Sequence, residues 1–254
     1  MHVYSDRYPT AASATLAPPD ASLTQYRGLQ RRLGTTRNVF VLPSTYGSDN
    51  ASVLDAVAAS GAVARGIGAA DGATSPAELA KWDRLGIVGV RFNLVRAGMS
   101  ALADAQRLAS FVATLGWHLE FHVLGVTLPE LAPFMTRLPC DVAIDHMGRM
   151  TSENGIAAPA FDALRRLLDG GRCWVKLSGT YLDANANEQT RKECGKVLVA
   201  HRPDRMVWGS DWPHPAAPQL PDDAALLDQL VDWAPDVETR RRILVDNAAR
   251  LYRF

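Results

Sequence analysis

The segment Val207-Trp208-Gly209-Ser210-Asp211-Trp212-Pro213-His214-Pro215 delivers a carboxylate just past a short apolar run, with a Trp-Pro-His-Pro turn behind it. An aspartate at the carboxyl end of a buried parallel strand stands where an α/β barrel keeps its chemistry. A second apolar run feeds Ile144-Asp145-His146-Met147-Gly148-Arg149. The His146 ring carries both a donor and an acceptor site, for a substrate or for a local carbonyl. Arg149 offers a planar fork that suits a carboxylate, or else a solvated loop cation. Arg91 ends Val88-Gly89-Val90. A cation buried there requires an anion, either a substrate carboxylate or an internal aspartate. Other polar groups end apolar runs in the same way: His2, Ser44 and Tyr46, His122, Lys176 and Ser178, and His214. Lys176 reads as a buried lysine paired with an acid, ahead of a Schiff-base nucleophile.

The elements that would carry these residues alternate. Strand patterns fall at 38–44, 62–70, 87–93, 118–124, 141–145, 173–177 and 205–208. Helical patterns fall at 50–60, after Ser75, and at 101–115, 128–137, 159–168, 188–201, 222–232 and 237–251. Asn50 reads as an N-cap, and Ser75-Pro76-Ala77-Glu78 as a capping box with proline in the first turn. Alternation of this kind implies parallel strands joined by right-handed crossovers. Met1-His2-Val3-Tyr4 reads as the tail of one more strand. With no linker or low-complexity tract, residues 1–254 read as a single domain.

At 254 residues the chain has the length of one α/β barrel. Its 27 basic and 27 acidic residues cancel, which argues against a nucleic-acid or polybasic membrane partner. No apolar run approaches the roughly 20 residues of a membrane span, and no signal pattern opens the chain. Three widely spaced cysteines, Cys140, Cys173 and Cys194, form no disulfide framework, so a cytoplasmic location is expected. Nothing in the sequence assigns an oligomeric state.

Together these blocks resemble the metal-independent lactonase branch of the amidohydrolase superfamily (amidohydrolase-related family 2). The resemblance rests on Met1-His2-Val3, Arg37-Asn38-Val39, Ser44 through Asn50 and Ala64-Arg65-Gly66-Ile67, and continues through Gly89 to Asn93 and the His146 and Asp211 blocks. It implies a (β/α)8 TIM barrel and hydrolysis of a small carboxylated lactone, of pyrone-dicarboxylate or muconolactone type. It further implies a first strand ending in His-x-His. Met1 takes the middle place and His2 the second histidine, so the start of that strand is expected upstream of this sequence. By resemblance Asp211 is the base, His2 and His146 place water and carbonyl, and Arg91 and Arg149 hold substrate carboxylates. Ser44, Tyr46 and His122 contact substrate. No cofactor is implied. The alternative is a zinc-dependent amidohydrolase or decarboxylase, with Zn2+ on His2, His122 and Asp211, since catalytic zinc takes three protein ligands and keeps one open position. Sugar-acid lactone isomerases share the scaffold and form a second alternative.

Overall fold

The computed structural model describes residues 1–16, 18–150, 155–182 and 188–254. Seven strands, β1 (Asn38–Val41), β2 (Ala64–Gly68), β3 (Ile87–Asn93), β4 (His118–His122), β5 (Asp141–Ile144), β6 (Cys173–Leu177) and β7 (Met206–Trp208), form one sheet in chain order. Every pairing is parallel. The helices are α1 (Leu23–Leu33), α2 (Ala51–Ser60), α3 (Pro76–Arg84), α4 (Leu94–Ala97), α5 (Ala101–Thr114), α6 (Leu128–Arg137), α7 (Pro159–Asp169), α8 (Glu188–His201), α9 (Asp223–Trp233), α10 (Val237–Arg241) and α11 (Asn247–Tyr252). Among the described residues no helix is long and apolar enough to cross a membrane.

The period-two alternation of strand side chains divides the sheet into two faces. One face carries Phe40, Leu119, Phe121, Val142, Ile144, Val175 and Leu177 into a large core shared with the helices. Burial of each such large side chain contributes about 1.5–3 kcal/mol. The opposite face carries Val41, Ile67, Ala143, Trp174 and Val207, which pack with Leu251 and Tyr252 of α11. That face also bears Arg91, Glu120, His122 and Lys176, each an even number of residues from its strand neighbours on the same side. The pleat thus delivers the charged groups of three strands to one interior.

Seven parallel strands of the expected barrel are present, and residues 1–4, read as the tail of one more, form no strand ladder. They link the two sheet edges instead. The Met1 amino group donates to the Val39 carbonyl at 3.2 Å. Val41 N–H donates to Met1 O at 2.9 Å, and His2 N–H donates to Trp212 O at 2.8 Å. Residues 1 and 2 thus tie β1 to the turn that follows β7. Other differences are local. Helix α1 escaped the sequence reading, although Ser22 and Gln25 form a full capping box and Gly34 closes the helix in the left-handed conformation. Asn50 does not cap α2. Its amide bridges Ala69 N–H and Ala69 O, both at 2.9 Å, and so ties α2 to the end of β2, while Asp49 accepts from Ala51 N–H. The predicted 237–251 helix is interrupted by a π turn at Arg242–Asp246. Ser75 and Glu78 form the expected capping box.

Candidate active site

Asp211 follows β7 by three residues and adopts a left-handed backbone, φ 59°. His146, two residues past β5, does the same at φ 53°. Such backbone costs of order 1–3 kcal/mol for a residue other than glycine and concentrates at functional sites. Here it turns both side chains toward each other. His146 Nε2 lies 3.9 Å from Asp211 Oδ1, and His2 Nε2 lies 3.6 Å from the same oxygen. The other oxygen, Oδ2, accepts the Tyr181 hydroxyl at 2.5 Å. His2 Nδ1 lies 2.8 Å from Val41 O. A carbonyl only accepts, so Nδ1 carries the proton and a neutral His2 presents Nε2 as an acceptor. His146 Nδ1 lies 2.9 Å from Ser178 Oγ. Gly179 must remain side-chain free, since a Cβ there would stand 2.5 Å from His146 Nδ1.

Behind this group runs a chain of buried charges. His118 Nε2 lies 3.2 Å from Glu120 Oε1, and Glu120 Oε2 accepts from Lys176 at 2.6 Å. Lys176 reaches Asp145 Oδ1 at 2.9 Å, and Asp145 Oδ2 accepts Arg91 Nε at 2.6 Å. Two carboxylates face two cations, so the interior is balanced; loss of one member would cost about 3–5 kcal/mol. His2, Arg91, Asp145, His146, Lys176 and Asp211 all line a single cavity of about 390 Å³. It continues between Val41 and Trp208, where β1 and β7 are not paired, toward Tyr252.

Electrostatics separate the roles. Burial opposes ionisation of Asp211, but the neighbouring His146, His2 and the Tyr181 hydroxyl outweigh it and hold the carboxyl well below the usual carboxylate range. Burial pushes His2 and His146 below the ordinary imidazole value. His122 is pushed further down by burial and then by His146 and Arg91. Burial opposes the ionised form of Asp145 as well, but Lys176 and Arg91 hold it well below its usual range. At neutral pH the site therefore holds an anionic carboxylate between neutral imidazoles.

This pattern predicts acid lability. His2, His122 and His146 have folded values below the unfolded 6.5, so the unfolded chain binds more protons as pH falls. Asp211 and Asp145 act in the same direction below 3.8. Their stabilisation is fully present above about pH 6.5 and declines below it. Calorimetry across pH 4–8 is expected to show the unfolding temperature falling from pH 6.5 downward; a flat profile would contradict the burial of neutral imidazoles.

The remaining candidates lie around this centre. His122 meets His146 edge to face, with ring centroids 5.0 Å apart, and both its nitrogens are buried without a hydrogen-bond partner. The Arg149 guanidinium donates to Leu182 O at 2.9 Å, beside the turn that carries Tyr181. Tyr46 stands apart. Its hydroxyl accepts from Ser5 N–H at 2.9 Å and donates to Ser5 O at 3.1 Å, and so clamps the chain start. Ser44 opens a 3-10 turn outside the cavity lining. Tyr181 was missed by sequence reasoning. Its only signal was position, four residues past a strand end. Among the described residues no group of three His, Cys, Asp or Glu side chains is placed to hold a metal ion. The zinc set His2, His122 and Asp211 does not form such a group, and the His122 ring lies against His146.

A family model described as amidohydrolase matches residues 1–254. A 2-pyrone-4,6-dicarboxylate hydrolase from Comamonas testosteroni is 36% identical over 267 residues, covering 99% of this chain and 88% of its own. A 4-sulfomuconolactone hydrolase from Hydrogenophaga intermedia is 34% identical over 263 residues, covering 99% and 86%. A solved Acinetobacter baumannii structure, a probable 2-pyrone-4,6-dicarboxylic acid hydrolase with citric acid bound, matches with a TM-score of 0.90 at 28% identity, covering 100% of this chain and 97% of that one. With the model spanning every residue and these relatives aligned along nearly the whole length, the chain belongs to the amidohydrolase family.

Proposed function

We propose that this protein hydrolyses the ring ester of a small carboxylated lactone, with Asp211 activating the water. The observation that carries the reading is the division of labour at Asp211: Oδ2 is held by Tyr181, while Oδ1 faces His2 and His146 in a cavity that also holds Arg91. His2 Nε2 and Asp211 Oδ1 are both acceptors 3.6 Å apart, an arrangement that suits one water donating a proton to each. Ser178 Oγ lies against Nδ1; a Ser178 hydroxyl that donates there leaves the His146 proton on Nε2, where it can donate to the substrate carbonyl.

The steps follow. The water gives a proton to Asp211 as its oxygen bonds to the carbonyl carbon, and His146 stabilises the developing oxyanion, an effect of about 3 kcal/mol per donor. The tetrahedral centre collapses, the ring C–O bond breaks, and the departing oxygen takes the proton from Asp211. The products are a carboxylic acid and an alcohol or enol. Arg91 is held in place by Asp145 through Nε, which leaves its terminal nitrogens to take a substrate carboxylate. Fixing the ester beside Asp211 in this way lowers the barrier by several kcal/mol. His122, buried with both nitrogens unengaged, supplies a further polar contact, and Arg149 is a second cation beside the Tyr181 turn. The named relatives act on carboxylated or sulfonated ring compounds, and the A. baumannii structure holds a tricarboxylic acid. Both fit an anion-binding interior.

A panel of carboxylated lactones in 18O-labelled water tests the reading. Incorporation of one labelled oxygen into the acid is expected. Turnover without label would instead identify an isomerase. Elemental analysis, with activity measured before and after chelation, addresses the zinc alternative.

Arg91 should be examined as lysine, because Arg91→Ala strands Asp145 in the interior and costs stability. Arg91→Lys keeps the charge against Asp145 but loses the fork. It is expected to raise KM about 10–100-fold, as for loss of one charge-assisted hydrogen bond, with kcat little altered. An unchanged KM across the panel would remove Arg91 as the anchor.

A further inference from the structure

The carboxylate of Asp211 is the near end of a longer string. Tyr181 Oη lies 2.5 Å from Asp211 Oδ2. His214 Nδ1 lies 3.1 Å from Tyr181 Oη, and His214 Nε2 lies 3.0 Å from Asp223 Oδ1. The rings of Tyr181 and His214 meet edge-on at 5.1 Å and 85°. His214 is buried, only 4% exposed, and is held in the left-handed conformation at φ 62°. Asp223, the first residue of α9, is the outer end, its side chain 13% exposed.

We propose that Tyr181, His214 and Asp223 are positioning residues that lock the Asp211 carboxylate in one rotation, so that Oδ1 alone is presented to the cavity. The proposal rests on Asp211 as the base of the reading above. Hydrogen-bond direction supports it. An ionised Asp211 only accepts, so the Tyr181 proton points to Oδ2. The phenol oxygen must then accept, and the Nδ1 proton of His214 points to it. The contact of Nε2 with Asp223 Oδ1 holds the ring from its other side. The two links nearest Asp211 therefore run toward it, and the third fixes the His214 ring against α9. Asp222 caps α9 by accepting from Ala224 N–H at 3.1 Å, which leaves the Asp223 side chain to His214.

The string also bears on basicity. Asp211 is faced by His2 and the Met1 amino group from the chain start, Tyr4, Arg91 from β3, His146 beyond β5 and Tyr181 beyond β6. Of these, the structure shows Tyr181 as the donor on Oδ2. Its removal as Tyr181→Phe takes one charge-assisted hydrogen bond from the anion. That should raise the acid limb of kcat/KM by about one to two pH units. kcat at its optimum should fall about ten-fold or more as the carboxylate rotates, with KM little changed. Asp223→Asn should shift the acid limb in the same direction by a smaller amount, with Tyr181 still in place.

Two measurements on the full-length protein decide the matter. The first is the pair of pH profiles for Tyr181→Phe and Asp223→Asn. An acid limb at the wild-type position in both, with kcat within two-fold, overturns the proposal, and loss of thermal stability alone would not rescue it. The second is 15N NMR of His214 in the resting enzyme, which requires no substrate and so remains decisive if no lactone is turned over. A protonated, slowly exchanging Nδ1 that becomes fast-exchanging in Tyr181→Phe is expected. A fast-exchanging Nδ1 in the wild type shows that the string does not exist.

Discussion

Asp211→Asn is expected to lower kcat by about 10²–10⁴-fold, the range for loss of a general base, while substrate still binds. The substitution is close to isosteric and its consequences separate cleanly. Tyr181 can still donate to the amide oxygen in place of Oδ2. The new NH2 group faces His2 Nε2, an acceptor, 3.6 Å from the present Oδ1. The variant also loses an ionised carboxylate whose neighbours outweigh the penalty of its burial. It is therefore expected to unfold below the wild-type temperature. Single-turnover kinetics with isothermal titration of the same lactone checks this. Normal turnover by folded Asp211→Asn would eliminate Asp211 as the base and, with it, the mechanism proposed.

His146→Ala is the second large effect. Its imidazole is held by Ser178 at 2.9 Å and lies 3.9 Å from Asp211 Oδ1. Loss of an oxyanion donor typically costs about 10²–10³ in kcat. KM should move little, because the interaction strengthens only as charge develops on the carbonyl oxygen. Ser178→Ala should fall in the same direction by a smaller factor, since it frees the ring without removing it. Equal kcat in wild type and His146→Ala, with circular dichroism confirming the fold, would exclude His146 from the chemistry. Substitution at His122 gives a useful contrast: a contact made in ground state and transition state alike changes KM and leaves kcat.

Strand positions were largely legible because their signal is local. The 87–93 and 173–177 patterns coincide with β3 and β6, and 128–137 and 188–201 coincide with α6 and α8. Ser75 through Glu78 identified a helix start because a capping box is read within four residues. Asn50 misled for the converse reason. A side-chain amide can cap a helix or reach a strand, and only the approach of Ala69 decides. His2, Arg91, His146 and Asp211, each read as a polar group ending an apolar run, line the same cavity. Ser44, Tyr46 and His122 end such runs too but, like Arg149, lie outside the lining, with the Tyr46 hydroxyl consumed by Ser5. Proximity to a strand end does not say which way a loop turns.

Determined by the sequence itself are the alternation of strand and helix, the pleat that sends Arg91, Glu120, His122 and Lys176 to one side, and the chemical types available at the strand ends. Those follow from dihedral preference and side-chain periodicity over a few residues. Tertiary structure alone decided that Arg91 pairs with Asp145, fifty-four residues away, that residues 1 and 2 reach both β1 and the turn after β7, and that Tyr181 grips Asp211. Each depends on a distance between segments remote in sequence, set by how helices and strands pack. No local preference encodes such a distance.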